Sequence, residues 1–270
     1  MPKPTNLINV CVVGVAGKMG QEVAKSLVND SLLQLVSAVD RNHAGTPLRQ
    51  LLGSAVADLT IEDKLGVALD RETTHVMIDF THPAGVVERA QSALRRGVAP
   101  VIGTSGLSNP DLRELELACE EFNTPAMVIP NFAIGAVLMM KFARMAARWM
   151  PEAEIIELHH DGKADAPSGT ATMTAQQIAL GRTQNPERRE ELIKLEGVRG
   201  GVTKGVHIHS VRLRGLVAHQ EVIFGGAGET LTLRHDSLDR AGFMEGVKLC
   251  ARRIWDTEGL TVGMEGLLDE

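Results

Sequence analysis

Tyrosine is absent from this sequence of 270 residues, and its only aromatic side chains are six Phe and two Trp. That is too few rings for the stacking platforms on which single-stranded nucleic acids are held. Positive charge is also in short supply. With 28 Lys and Arg against 34 Asp and Glu the net charge is −6, so the chain lacks the basic field that displaces counterions from a phosphate backbone. Nucleic acid is therefore not an expected partner. Cysteine occurs three times, at Cys11, Cys119 and Cys250, an odd number with no CxxC pair and no zinc-ligand spacing. These thiols are expected to be reduced packers in the core, and no metal is expected. Nowhere do 18 apolar residues run together, so no membrane span is expected. The start, MPKPTNLINV, lacks the apolar core and small-residue cleavage site of a signal peptide, and the expectation is a cytoplasmic protein.

What is present is ordinary globular material, with 44% hydrophobic and 23% charged residues, in a length that suits one large domain or two modest ones. Over the first 130 residues, short β-branched runs (7–13, 33–40, 75–80, 98–102 and 125–129) alternate with amphipathic segments. One such segment places Met19, Val23 and Leu27 four apart, on one helical face. Continuous apolar strands separated by helices predict a doubly wound parallel α/β sheet of Rossmann type. From about Phe132 the texture changes. A helix near 133–150 leads to a strand at 153–160, a Gly/Pro-punctuated stretch and a helix at 170–182. Residues 183–204 are highly charged and read as a surface excursion. Three strand-like runs follow at hairpin spacing (205–215, 218–226 and 229–236), then a last helix at 240–256 able to pack back on the first sheet. The second domain is accordingly expected to be α+β, on an open mixed, mostly antiparallel sheet. The boundaries expected are 1–130 plus 240–270 for a dinucleotide-binding domain and 131–239 for the other.

Immediately after the first strand stands Gly14-Val15-Ala16-Gly17-Lys18-Met19-Gly20. In the turn between a first strand and first helix, such glycines let backbone N–H groups and the helix dipole hold a pyrophosphate. The second strand ends at Asp40, 20 residues after Gly20, where a carboxylate reaches the ribose hydroxyls of a dinucleotide. The neighbouring Arg41 can pair with a 2′-phosphate, so both NADH and NADPH are expected cofactors. Phe80-Thr81 and Gly103-Thr104-Ser105-Gly106 end two further strands, at the carboxyl edge where open α/β sheets bind ligands.

The densest chemistry lies between Glu157 and Thr170. His159 and His160 are adjacent on a strand end, so they point in different directions and can take different roles, one in proton transfer and one in binding. Lys163 supplies an ammonium group able to donate a proton or hold a carboxylate. Pro167-Ser168-Gly169-Thr170 opens a helix whose N-terminal amides suit an anion. Each residue also has a plain structural reading: a satisfied histidine, a solvated lysine, a serine N-cap. Their concentration within so short a stretch favours a pocket for a small anion. His207 and His209 share a strand face without a third ligand, while His219, His235, Glu221 and Arg234 read as cross-strand or interface contacts.

At these residues the sequence resembles the bacterial 4-hydroxy-tetrahydrodipicolinate (dihydrodipicolinate) reductases, over nearly the whole chain. The segments that carry the resemblance are GVAGKMG, DFTHP, GTSG, PNFAIGAVL, GLVAHQEVIFGGAGETLTLRHDSLDR and, most specifically, HHDGKADAPSGT. The resemblance implies NAD(P)H-dependent reduction of 4-hydroxy-tetrahydrodipicolinate with loss of water, in lysine and diaminopimelate biosynthesis. It implies cofactor contacts at Gly14, Val15, Ala16, Gly17, Lys18, Met19, Asp40, Arg41, Gly103, Thr104, Ser105 and Ile129, Pro130, Asn131, Phe132. It also implies proton transfer by His159 and Lys163, and binding of a small dicarboxylate substrate by His160, Lys163, Gly169 and Thr170. A homotetramer joined through the second-domain sheet is implied too. Hinges are expected near Asn131 and Asp239, where the chain crosses between the two domains. The alternatives on the same frame are a dehydrogenase acting on a small amino acid such as aspartate, and a non-catalytic nucleotide-binding protein.

Overall fold

The computed structural model describes residues 4, 7–71, 73–104, 106–186 and 192–269, and Ser105 lies outside that set. The chain divides into two compact units, residues 1–132 with 243–270 and residues 133–242.

The first unit is built on strands β1 (Ile8–Val13), β2 (Leu33–Val39), β3 (Val76–Asp79), β4 (Ala99–Ile102) and β5 (Ala126–Val128). Helices α1 (Lys18–Ser26), α2 (Leu48–Leu52), α3 (Leu65–Arg71), α4 (Val86–Leu94) and α5 (Asn109–Phe122) lie between them. All strand pairings in this sheet are parallel, in the order β2-β1-β3-β4-β5 and onward to a short sixth strand at Leu260–Val262. The strands are β-branched runs buried on both faces, as parallel sheets require. Cys11, Val13, Val39 and Met77 pack with Ala68 and Leu69 of α3 and Ala93 of α4. Their sequence neighbours Val10 and Val12, on the opposite face, are equally buried. Ser108 starts α5 with a capping box: its hydroxyl accepts from Asp111 N–H, and its own N–H donates to the Asp111 carboxylate at 2.7 Å. All three cysteines are free and buried, and burial pushes the Cys11 and Cys250 thiols up to about 12.

In the second unit, helix α6 (Ile134–Ala147) leads to β6 (Glu152–His159) and α7 (Gly169–Gly181), then to β7 (Gly201–Thr203), β8 (Val206–Arg212), β9 (Ala218–Gly226) and β10 (Glu229–Ser237). The sheet order is β10-β9-β6-β8-β7, in which only β6 and β8 are parallel. The mixed, mostly antiparallel sheet is thus as read from the spacing. Helices α6 and α7 cover one face: Met139, Ala143, Ala147, Ala171, Ala175 and Ile178 pack on Ile155, Val206, Ile208, Val222 and Phe224. The two helices approach so closely that a Cβ on Gly181 would stand 2.0 Å from the Arg144 carbonyl oxygen.

The chain then returns to the first unit as α8 (Met244–Arg253), flanked by 3₁₀ turns, and as the edge strand β11 (Leu260–Val262) beside β5. Helix α8 packs on α1 and β2. A Cβ on Gly246 would lie 1.9 Å from the Phe132 carbonyl oxygen, so only glycine allows that approach. Two elements differ from the sequence reading. Strand β7 lies within the segment expected to be a surface excursion, and β11 was not anticipated. Each is three residues long, too short to show an alternation, and each owes its strand geometry to the neighbour it pairs with.

Candidate active site

The strand order reverses between β1 and β3, and a crevice for ligands forms at such a switch point beyond the strands' carboxyl ends. Gly14 leaves β1 with φ +79°, and a side chain there would press 2.9 Å from Thr81 Cγ2 and 3.2 Å from the Phe80 carbonyl oxygen. Gly20 sits in the first turn of α1, where a Cβ would fall 2.1 Å from the Gly14 carbonyl oxygen. Gly17 caps that helix with no side-chain hydrogen bond and donates its N–H to Gly14 O at 3.0 Å. This cradle of backbone fits a pyrophosphate, and a Cβ at any of the three positions would crowd it.

Asp40 is already tied to the cradle. Its carboxylate accepts from Ala16 N–H at 3.2 Å and Asn42 N–H at 3.0 Å, with His43 Nδ1 at 3.2 Å. Lys18, next to Gly17, and Arg41, next to Asp40, are exposed. Across the edge, the Phe80 ring covers Gly103, where a Cβ would clash at 2.2 Å, and meets Phe132 at 5.4 Å between centroids. Val15, Ile129 and Phe132 are buried, so Val15 and Ile129 have backbone to offer a cofactor. A buried carboxylate that the sequence reading passed over, Asp79, holds this edge together. It accepts from Thr81 N–H at 2.8 Å, Thr81 Oγ1 at 2.6 Å and Arg89 Nε at 2.7 Å, and Thr104 Oγ1 lies 3.3 Å away.

The second constellation lies at the end of β6. Ile155, Glu157 and His159 alternate onto the helix-covered face of the sheet, whereas His160 is exposed. Glu157 has no exposure at all. Its Oε2 accepts from His159 Nδ1 at 2.5 Å and Arg212 Nη1 at 2.9 Å, and its Oε1 accepts from Arg212 Nη2 at 2.8 Å and Ser168 N–H at 3.2 Å. Burial alone would raise the Glu157 carboxyl, but hydrogen bonds from Arg212, Ser210 and His159 outweigh it and hold the group below its ordinary range. His159 is held below its ordinary value by burial. The Glu157 carboxylate opposes that shift, and the nearby charges of Lys163 and Arg212 add to it.

Lys163 pairs with Asp165, its Nζ lying 2.7 and 2.8 Å from the two carboxylate oxygens. Ser168 caps α7 by accepting from Ala171 N–H at 3.1 Å, which puts Gly169 and Thr170 at the head of the helix. A Cβ added to Gly169 would meet nothing within 4 Å, leaving room there for a ligand. The structure thus ties His159 and the helix head to one buried carboxylate, with the Lys163 charge near His159. Glu157, Arg212 and Asp165 were missed in the sequence. Glu157 carried a signal, since a carboxylate two residues before a histidine on a strand shares its face; Arg212 carried none.

His207, His209 and His219, on the second sheet, make structural contacts. His207 Nδ1 lies 2.7 Å from Arg199 O, and His209 donates to Glu154 at 2.8 Å. His219 and Asp236 pair across β9 and β10 at 2.6 Å, as do Arg234 and Glu221 at 3.2 Å. Among the described residues no group of three or more His, Cys, Asp or Glu is arranged to hold a metal ion, and no helix is long and apolar enough to cross a membrane.

Comparison with known proteins bears on both constellations. The family descriptions "Dihydrodipicolinate reductase, N-terminus" and "Dihydrodipicolinate reductase, C-terminus" match residues 8–132 and 135–268. The chain is 51% identical over 260 residues to 4-hydroxy-tetrahydrodipicolinate reductase of Syntrophomonas wolfei subsp. wolfei, covering 96% of this chain and 98% of that one. It is 45% identical over 264 residues to the enzyme of the same name from Halalkalibacterium halodurans, covering 97% and 100%. Among solved structures it is similar to a dipicolinate-bound dihydrodipicolinate reductase from Paenisporosarcina sp. TG-14, with TM-score 0.87 and 41% identity over 97% of this chain and 100% of that one. An amine dehydrogenase from Mycobacterium smegmatis, at TM-score 0.67 and 14% identity over 94% of each chain, shares the fold alone.

The buried ion pair makes a stability prediction. Arg212→Met leaves the Glu157 charge without its cation, a loss that typically costs about 3 kcal/mol or more when one partner of a buried pair is removed. The sign of the pH dependence follows from the depressed Glu157 value. The stability it contributes is present above the unfolded carboxyl's pKa, near 4.5, and is lost as pH falls through the lower folded value. Urea midpoints should therefore show a large Arg212→Met deficit at pH 7 that persists down to about pH 4.5 and shrinks as the pH is lowered further; a deficit independent of pH would contradict this origin.

Proposed function

The chain belongs to the dihydrodipicolinate reductase family, and we propose that it reduces 4-hydroxy-tetrahydrodipicolinate to tetrahydrodipicolinate with loss of water, using the polar cluster at the end of β6 for proton transfer. It is a pyridine-nucleotide oxidoreductase of lysine and diaminopimelate biosynthesis. The observation that carries the assignment of roles is that the buried Glu157 holds both His159 and the head of α7, with the charge of Lys163 close enough to act on His159. The nicotinamide, when bound, supplies the hydride.

The cofactor is assigned to the cradle of Gly14, Val15, Ala16, Gly17, Lys18 and Met19, to Asp40 and Arg41, and to the edge formed by Phe80, Thr81, Gly103, Thr104 and 129–132. Ser105 belongs to this set by sequence. Substrate is assigned to the second unit. The backbone amides of Gly169 and Thr170 and the side chains of His160 and Lys163 hold its two carboxylates, with Lys163 exchanging Asp165 for the ligand. Hydride addition to a conjugated imine leaves electron density that must take up a proton; Lys163 is the donor at hand, and the Nε2 lone pair of His159 is a proton acceptor. Burial disfavours the charged form of His159, and with Nδ1 committed to Glu157 the ring takes up a proton at Nε2.

Among the described residues of the second unit, α6 and α7 pack on one face of the five-stranded sheet and leave the other uncovered. It carries Ile156, Leu158, Val211 and Ile223 among the pairs Glu154–Arg199, Glu221–Arg234 and Asp236–His219. We assign this face to a homotetramer, which sedimentation equilibrium would test by the mass of four chains. The three buried thiols agree with a cytoplasmic setting.

The direct test follows loss of nicotinamide absorbance on adding freshly generated 4-hydroxy-tetrahydrodipicolinate. Turnover is expected, with Lys163→Ala lowering kcat by about 10²-fold or more and leaving cofactor affinity intact; near-normal kcat in that variant would remove the role. Both NADH and NADPH should serve, because Asp40 suits free ribose hydroxyls and Arg41 offsets its repulsion of a 2′-phosphate. Arg41→Ala should raise KM for NADPH much more than for NADH, and equal effects would refute this division. The two ligands are assigned to different units, with chain crossings at 132–133 and 242–243, so each is expected to strengthen the other's binding. Calorimetry should find pyridine-2,6-dicarboxylate tighter with reduced cofactor present and pyridine-2-carboxylate far weaker. Equal affinity for the mono- and dicarboxylate would rule out the clamp.

A further inference from the structure

We propose that Glu157 is a positioning residue for the reaction, fixing the tautomer of His159 so that Nε2 is the atom that exchanges a proton. The inference deepens the assignment of proton transfer to His159 and rests on it. An ionised carboxylate only accepts hydrogen bonds, so the 2.5 Å contact between Glu157 Oε2 and His159 Nδ1 places the ring hydrogen on Nδ1. The neutral ring then carries its lone pair on Nε2. Arg212 keeps the carboxylate ionised by gripping both oxygens, at 2.9 and 2.8 Å. The same Oε1 accepts from Ser168 N–H at 3.2 Å, so one buried carboxylate fixes both the imidazole and the start of the helix assigned to the substrate.

The charged groups acting on His159 are Glu157 on its own strand, Arg212 on β8 and Lys163 on the following loop. The register partners of His159 are Arg212 on β8 and Ala218 on β9, and those of Glu157, Ser210 and Gln220, are neutral. A carboxylate needed only to neutralise Arg212 would have no cause to bind the imidazole at Nδ1. One that orients the base does, and this is the geometry in which a histidine presents its second nitrogen to chemistry.

Glu157→Gln separates the two roles. The amide NH2 must occupy one of two positions. Placed at Oε1 it would face two fixed donors, Arg212 Nη2 and Ser168 N–H. At Oε2 it would face Arg212 Nη1 and His159 Nδ1, and the ring can become an acceptor by moving its hydrogen. The NH2 therefore turns to His159 and drives the ring to the Nε2–H tautomer, removing the lone pair from the reacting nitrogen.

The experiment is ¹⁵N NMR of the histidine rings of the full chain, read beside steady-state kinetics. Wild type should show His159 protonated at Nδ1, and Glu157→Gln at Nε2. The variant's kcat should fall by about 10²-fold or more, the scale of a lost general acid–base, with KM for cofactor and affinity for pyridine-2,6-dicarboxylate unchanged. Glu157→Asp keeps the charge and should retain the Nδ1–H tautomer with kcat above that of Glu157→Gln; it also carries the test if the glutamine variant fails to fold. Nδ1–H persisting in Glu157→Gln, Nε2–H in Glu157→Asp, or a flipped tautomer with wild-type kcat would each overturn the proposal. If His159→Gln itself keeps wild-type kcat, the proton role of His159 fails separately, while the ring spectra still report whether Glu157 sets the tautomer.

Discussion

A carboxylate sealed from water organises the chemical half of this protein. Glu157 is fully buried, and an isolated charge in such a place would be neutralised or expelled. It survives as an anion because Arg212 meets it with two guanidinium nitrogens and because His159 and Ser168 N–H supply the remaining donors. The parallel pairing of β6 and β8 is what delivers Arg212, whose register partner is His159 itself. Strand register, charge balance, imidazole orientation and the start of α7 are consequently one problem with one solution.

The nucleotide half rests on closeness of backbone. Gly20 lets the first turn fold on itself at a distance no Cβ tolerates, Gly17 is nearly as close, and Gly14 fits against Thr81 and Phe80, while Asp40 is drawn to the same turn by the Ala16 N–H. Asp79 does for β3 what Glu157 does for β6. Buried and hydrogen-bonded by Thr81 and Arg89, it holds the residues at the strand end in place. In both units a carboxylate with no exposure anchors the loop that a ligand would meet, and an arginine meets it, Arg89 from the following helix for Asp79 and Arg212 from another strand for Glu157. Ordering these loops beforehand reduces the entropy lost on binding.

Much of this architecture is legible in the chain. The five β-branched runs of the first unit and the run at 218–226 became strands within a residue or two of their ends, because burial on both faces demands continuous apolar residues and a hairpin demands close spacing. The glycine spacing, Asp40 at the end of β2 and the concentration from His159 to Thr170 pointed to the places where the structure forms a cradle and a cluster. Adjacent histidines on a strand were bound to face opposite ways. Which of them turned inward depended on the face that α6 and α7 cover.

By itself, then, the sequence determined the periodicities, the tight turns and the candidate chemistry, since each is set by residues near one another along the chain. Tertiary structure alone decided the short strands β7 and β11, the burial of Glu157 and Asp79, and the pairing of Glu157 with an arginine 55 positions away. The reason is physical: an edge strand borrows its geometry from its neighbour, and the charge state of a buried group is set by what packing brings against it. No local pattern specifies either.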